Sequence, residues 1–159
     1  MAMHTWFECK IRYEKTMENG MQKKVTEPYL VDALSFTEAE ARIIEEMTPF
    51  ITGEFTVSDI KRANYSELFP SDEESADRWF KCKLIFITLD EKSGAEKKTS
   101  TQVLVQAADL RDAVKKLDEG MKGTMADYQI GMVSETPLMD VYPYSAGPND
   151  KPEFDTSKA

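Results

Sequence analysis

The chain has one histidine, His4, and two cysteines, Cys9 and Cys82. His4 stands where a chain end is expected to fray, so Ser-His-Asp and Cys-His nucleophilic arrangements are excluded. H-E-x-x-H zinc sites and other multi-histidine metal centres are excluded with them. The cysteines form neither a C-x-x-C pair nor a zinc pattern and are expected to be buried, reduced thiols. No G-x-x-x-x-G-K-[ST] and no G-x-G-x-x-G occurs, so the two commonest glycine-rich phosphate cradles are missing. No run approaches the roughly 18 apolar residues that a membrane-spanning helix requires. The opening MAMHTWFECK lacks a basic segment followed by an apolar one, so no secretory signal is expected and the cytoplasm is the expected compartment.

Neutrality is also lacking, since the net charge over 159 residues is −9. Five of the acids lie between Glu67 and Asp77 (ELFPSDEESAD), a stretch without a base. The remainder is close to balanced, so acidity argues against strong non-specific DNA binding and leaves a local polyanion site open. Hydrophobic content of 41% with 31% charged residues is that of a globular protein.

The dominant positive feature is an internal repeat. WFECKI at 6–11 returns as WFKCKL at 79–84, and NGMQKKVTEPYLVDA at 19–33 as SGAEKKTSTQVLVQA at 93–107. Periodicity supports the alignment. Phe36, Ala39, Ile43 and Met47 form an apolar helical stripe, and Leu110, Ala113, Leu117 and Met121 repeat it. Each copy therefore reads as strand, turn, strand, helix, strand, short strand. In the first strand Phe7, Cys9, Ile11 and Tyr13 alternate with Trp6, Glu8, Lys10 and Arg12. Asn19-Gly20 and Ser93-Gly94 suit the turns. Ser35 or Thr37 is placed to cap the first helix and Asp109 the second, and Gly120 and Gly123 to stop the second. Strands near 53–62 and 126–135 carry Phe55 and Tyr128, Val57 and Ile130 inward. The expected fold is α+β: a tandem duplication of a strand-strand-helix-strand-strand module, with antiparallel sheets, two helices and pseudo-twofold symmetry. One domain is expected over 1–159, with repeats at 6–70 and 79–143, an acidic linker at 71–78 and a flexible tail at 144–159.

Glu45 and Glu119 are equivalent across the repeat, but a solvated helix face explains them better than catalysis. No enzymatic activity, catalytic residue, metal or cofactor is expected. The suggestive constellation is the recurrence of Trp6 with Lys10, Lys23 and Lys24 as Trp79 with Lys83, Lys97 and Lys98. Bases stack on aromatic faces while lysines neutralise phosphates, so paired Trp/Lys faces suit single-stranded DNA or RNA. The competing readings are that each Trp is a packing residue and each hairpin lysine guards a sheet edge. A second functional expectation is a small-ligand or partner-protein binder assembled around the pseudo-twofold axis. The partners expected are thus single-stranded nucleic acid or a protein, including a second copy in a homodimer, and no membrane.

Beginning after the first helix, the order of four strands then a helix resembles the repeats of the PUR and Whirly-type single-strand-binding folds, circularly shifted. The stretches WFECKIRYE, NGMQKKVTEPYLVDALSFTEAEARI and ADYQI resemble a family of short bacterial and phage proteins of unknown function. That resemblance implies a cytoplasmic bacterial or phage setting and no mechanism.

Overall fold

Alternation along the first hairpin builds the first sheet. In the computed structural model, which describes residues 5–143, β1 (Trp6–Thr16) pairs antiparallel with β2 (Gln22–Asp32) from Trp6 opposite Asp32 to Thr16 opposite Gln22. The expected tail at 144–159 and His4 lie outside the described residues. Gly20 closes the turn at φ 83°, a backbone that a side chain disfavours. Phe7, Cys9 and Ile11 then share a face with Val31 and Ala33, and all five are completely buried. Onto this face packs α1 (Phe36–Met47) through Ala39, Ile43 and Met47. Ser35 is its N-cap: Ser35 Oγ accepts from Glu38 N at 3.1 Å, and Glu38 Oε1 accepts in return from Leu34 N at 2.6 Å. This reciprocal pair satisfies two helix-entry N–H groups. β3 (Phe55–Ala63) pairs with the other side of β1, with a bulge at Lys10/Ile11.

The second copy repeats these devices. β5 (Arg78–Leu89) and β6 (Glu96–Ala107) form a hairpin, α2 (Leu110–Gly120) is capped by Asp109 Oδ1 on Asp112 N, and β7 (Asp127–Glu135) flanks β5 with a bulge at Lys83/Leu84. Phe80, Cys82 and Leu84 pack under Ala113 and Leu117. Each such large apolar side chain contributes about 1.5–3 kcal/mol by leaving water. Both cysteines are free thiols at these buried positions.

The short strands depart from a simple tandem arrangement. β4 (Glu67–Phe69), from the first copy, lies parallel to β6, while β8 (Asp140–Tyr142), from the second, lies parallel to β2. The sheets are therefore ordered β3-β1-β2-β8 and β7-β5-β6-β4, each mainly antiparallel with one parallel edge. Two compact units result: unit 1 is Met1–Ala63 with Met139–Ala159, and unit 2 is Asn64–Leu138. Each copy of the repeat thus donates its last strand to the sheet of the other. The four-strand order is identical in the two units, as duplication of the module predicts.

The stretch expected as an acidic linker is docked in unit 2. Lys116 Nζ contacts Glu73 Oε1 at 2.8 Å, Asp112 Oδ2 at 3.0 Å and Ser71 Oγ at 3.1 Å. Ser71 N donates to Gln106 Oε1 at 2.9 Å, and Ala76 is buried. Lys116 is held protonated above its usual range, mainly by the Glu73 hydrogen bond.

Candidate functional site

The Trp/Lys constellation does not assemble as one site. Trp6 and Trp79 begin their strands on the face away from the helix, as alternation requires, but each keeps only 6% of its surface. Leu30 and Val141 on the same face of unit 1 are also buried, as is Leu104 on that of unit 2. A ring so covered offers little surface for a base to stack on. The lysines lie elsewhere. Lys23 sits opposite Lys15, nine positions along β1 from Trp6, and Lys97 sits opposite Thr88, equally far from Trp79. At about 3.3 Å per residue the separation is on the order of 30 Å. Lys23 and Lys97 also fall on the helix-covered side of their sheets, whereas Lys24 and Lys98 share the side of Trp6 and Trp79. Lys10 and Lys83 are half-buried, opposite Asp59 and Met132.

The hairpin lysines mark a different feature. β8 covers β2 only at Tyr29–Val31, and β4 covers β6 only at Val103–Val105. Among the described residues no strand lies beside the earlier parts of β2 and β6. Lys23 and Lys24 occupy one of these open edges and Lys97 and Lys98 the other, all exposed. Charged side chains at open edges oppose strand-to-strand aggregation.

The far half of unit 1's sheet holds a concavity. A groove of about 530 Å³ is lined by Arg12, Glu14, Gln22, Lys24 and Thr56, with Tyr13 and Phe55 among the remaining walls. Glu14 faces Lys24, and Thr56 faces Arg12, across neighbouring strands. Strand alternation therefore gathers two cations and a carboxylate on one side, and the 52–54 loop adds Glu54. Mixed charge on an open floor suits hydrogen bonding to a polar chain better than enclosure of an apolar molecule.

On the opposite side of the same strands lies a cluster that alternation alone could have flagged. Glu27 occupies a core-facing position between Val25 and Tyr29. Its Oε1 accepts from Tyr13 Oη at 2.9 Å and from Tyr29 Oη at 3.2 Å, and Lys15 Nζ stands 3.6 Å from Oε2. Tyr29 stacks on Tyr142 of β8 at 6.2 Å between ring centres. Burial and then the Glu27 hydrogen bond push the Tyr13 hydroxyl up to about 12. Burial, with Asp140 and Glu46 nearby, pushes Tyr142 up to about 12. Tyr29 is raised too, first by burial and then by the Glu27 charge. Burial raises the Glu46 carboxyl against the opposing pull of Arg42. These hydroxyls stay protonated near neutrality and are unsuited to act as bases; they hold the sheet beneath the groove. Among the described residues, no three His, Cys, Asp or Glu side chains gather as a metal site. No helix among them is long and apolar enough to cross a membrane.

Searches of curated proteins and of solved structures give no match to the chain. Comparison with protein families matches residues 5–144 to one described as a domain of unknown function, DUF4494. That match spans both copies of the repeat and the strands they exchange, and the chain belongs to this DUF4494 family.

Proposed function

We propose that this chain is a non-enzymatic binding protein of the cytoplasm whose ligand is a segment of a partner protein, held on the far half of unit 1's sheet. The observation that carries the reading is the coincidence of an open strand edge with a groove of mixed charge, both involving Gln22 and Lys24. Unpaired backbone and paired charges together match the chemistry of a polypeptide. A photo-crosslinking residue placed at Gln22 or Thr56, with Glu119 on α2 as control, tests this. Crosslinks to one protein from the groove positions alone support the reading; equal crosslinking from Glu119 defeats it.

Single-stranded nucleic acid is the second reading. It is favoured by the exposed lysine pairs at both hairpin ends and by the analogy of strand order to PUR and Whirly-type repeats. In this form the lysines act as phosphate contacts and Trp stacking plays no part. Anisotropy with labelled single-stranded DNA and RNA at about 50 and 200 mM salt separates the readings, because phosphate neutralisation makes affinity fall steeply over that range. Saturable, salt-sensitive binding lost on replacing Lys23, Lys24, Lys97 and Lys98 would favour this reading. A flat response at both salts removes it.

A further inference from the structure

We infer that the open edge of β2 from Gln22 to Glu27 accepts an acidic, extended segment of the partner as an added strand, in line with β8. This rests on the partner-protein reading and specifies how the partner is held. The argument begins with the backbone. Met17 N donates to Met21 O at 2.8 Å, which fixes that pair as hydrogen-bonded. Antiparallel pairs alternate, so Lys15/Lys23, Tyr13/Val25 and Ile11/Glu27 are also bonded, whereas Gln22, Lys24, Thr26 and Pro28 turn their N–H and C=O positions away from β1. Met139 N donates to Pro28 O at 2.9 Å, which confirms that direction at the point where the β8 segment arrives. Pro28 has no N–H to offer there. Earlier along β2, the outward groups of Gln22, Lys24 and Thr26 have no strand neighbour among the described residues, and these three residues are exposed.

Charge selects the occupant. An added strand would pass Lys24, with Glu14 behind it, on one side of the sheet and Lys23 on the other, where the Lys15 behind it is paired with Glu27. A second copy of β2 laid antiparallel on this edge would bring lysine pairs against lysine pairs. A neutral strand would gain nothing from them. An alternating acidic strand would place carboxylates beside Lys23 and Lys24 while its backbone completes the ladder. The lysines then exclude self-association and admit one charge class, a repulsive and an attractive device in the same residues. The equivalent edge of β6 carries Lys97 and Lys98, but Glu96 replaces Gln22, and Ile85 and Ile87 replace the groove-side Arg12 and Glu14.

The test uses the full-length protein and two labelled probes, an acetylated Glu-Val alternating octapeptide and its Lys-Val counterpart. Anisotropy should show the acidic probe binding at least about tenfold more tightly and weakening with salt. Amide exchange should show protection of Lys24 and Thr26 on binding, with the β6 edge unchanged. Thr26→Pro removes one outward N–H and leaves the pairing with β1 intact, as Pro28 already does; it should abolish the protection, and a retained far-ultraviolet spectrum shows that the fold survives. Lys23→Glu/Lys24→Glu should reverse the probe preference. Equal binding of both probes, or acidic-probe binding that protects residues other than these, overturns the inference. Should the Gln22 crosslinks described above identify a protein whose contacts spare these amides, the partner reading stands and only strand addition fails.

Discussion

The two units share one strand order yet differ where the exchanged strands close their sheets. In unit 1, Tyr142 of β8 lies near Glu46 at the end of α1, and the adjoining strands carry Tyr13, Glu27 and Tyr29. The repeat places Phe69, Gly120, Phe86, Thr101 and Val103 at the same positions in unit 2. There the ring of Phe69 presses so close to α2 that a Cβ on Gly120 would meet it at 2.9 Å. One module has thus been completed once with half-buried hydroxyls around a carboxylate and once with an aromatic ring against a bare backbone. The groove and its paired charges accompany the polar version, whereas Ile85 of unit 2 instead lies over Gly131, where a Cβ would meet it at 2.9 Å. The two units share a scaffold and differ where the exchanged strands dock.

The comparison can be broken most severely at the exchanged strands. Val141→Asp places a charge at a position 8% exposed and should cost about 4 kcal/mol, the class of a buried unpaired charge. The equivalent Leu68→Asp, at a half-buried site, should cost clearly less; equal losses by chemical denaturation would show that the two edges are closed alike. Transplanting the unit 1 residue, Gly120→Glu, should cost about 1–3 kcal/mol through overpacking against Phe69, and Gly120→Glu/Phe69→Ala should recover much of the clash. Glu27→Ala should cost about 1–3 kcal/mol by stranding the Tyr13 and Tyr29 hydroxyls, whereas Thr101→Ala in unit 2 should fall within about 0.5 kcal/mol. The remaining effect is alkaline. Tyr13 and Tyr142 move from 10.0 to about 12 on folding, so the unfolded chain releases these protons first. The stability tied to them is complete below pH 10 and is lost as pH rises towards 12. Unit 1 amides should lose exchange protection across that window before those flanking Phe69, Phe86 and Val103, with tyrosinate absorbance rising in parallel.

Much of this fold is legible in the sequence because its signals are local. Alternation along β1, glycine at the turn, the Ser35 and Asp109 caps and the helical stripes each specify an element from its own residues. The expected face of Phe7, Cys9, Ile11 and Tyr13 is the face that α1 covers. The destination of the short strands was not legible, because ELF and DVY are too brief for periodicity and their partners are remote in sequence. Val31 meets Tyr142, for example. The closure of the tryptophan faces did leave a trace. Tyr29-Leu30-Val31 and Val103-Leu104-Val105 are unbroken apolar runs, and a strand apolar at consecutive positions is covered on both sides at that level. The separation of Trp6 from Lys23 and Lys24 along the hairpin was not legible, since recurrence of residues in two copies carries no information on proximity along a strand.

The division of the chain also bears on the order in which it can acquire structure. Unit 2 is one uninterrupted segment, Asn64–Leu138, whereas unit 1 joins Met1–Ala63 to Met139–Ala159. During synthesis the second unit is complete once Leu138 has emerged, while the first must wait for Asp140–Tyr142 to close against β2. Chain connectivity therefore gives the first unit no lead over the second in vectorial folding. Until Asp140–Tyr142 arrive, the Tyr29–Val31 edge of the first unit has no strand to close it.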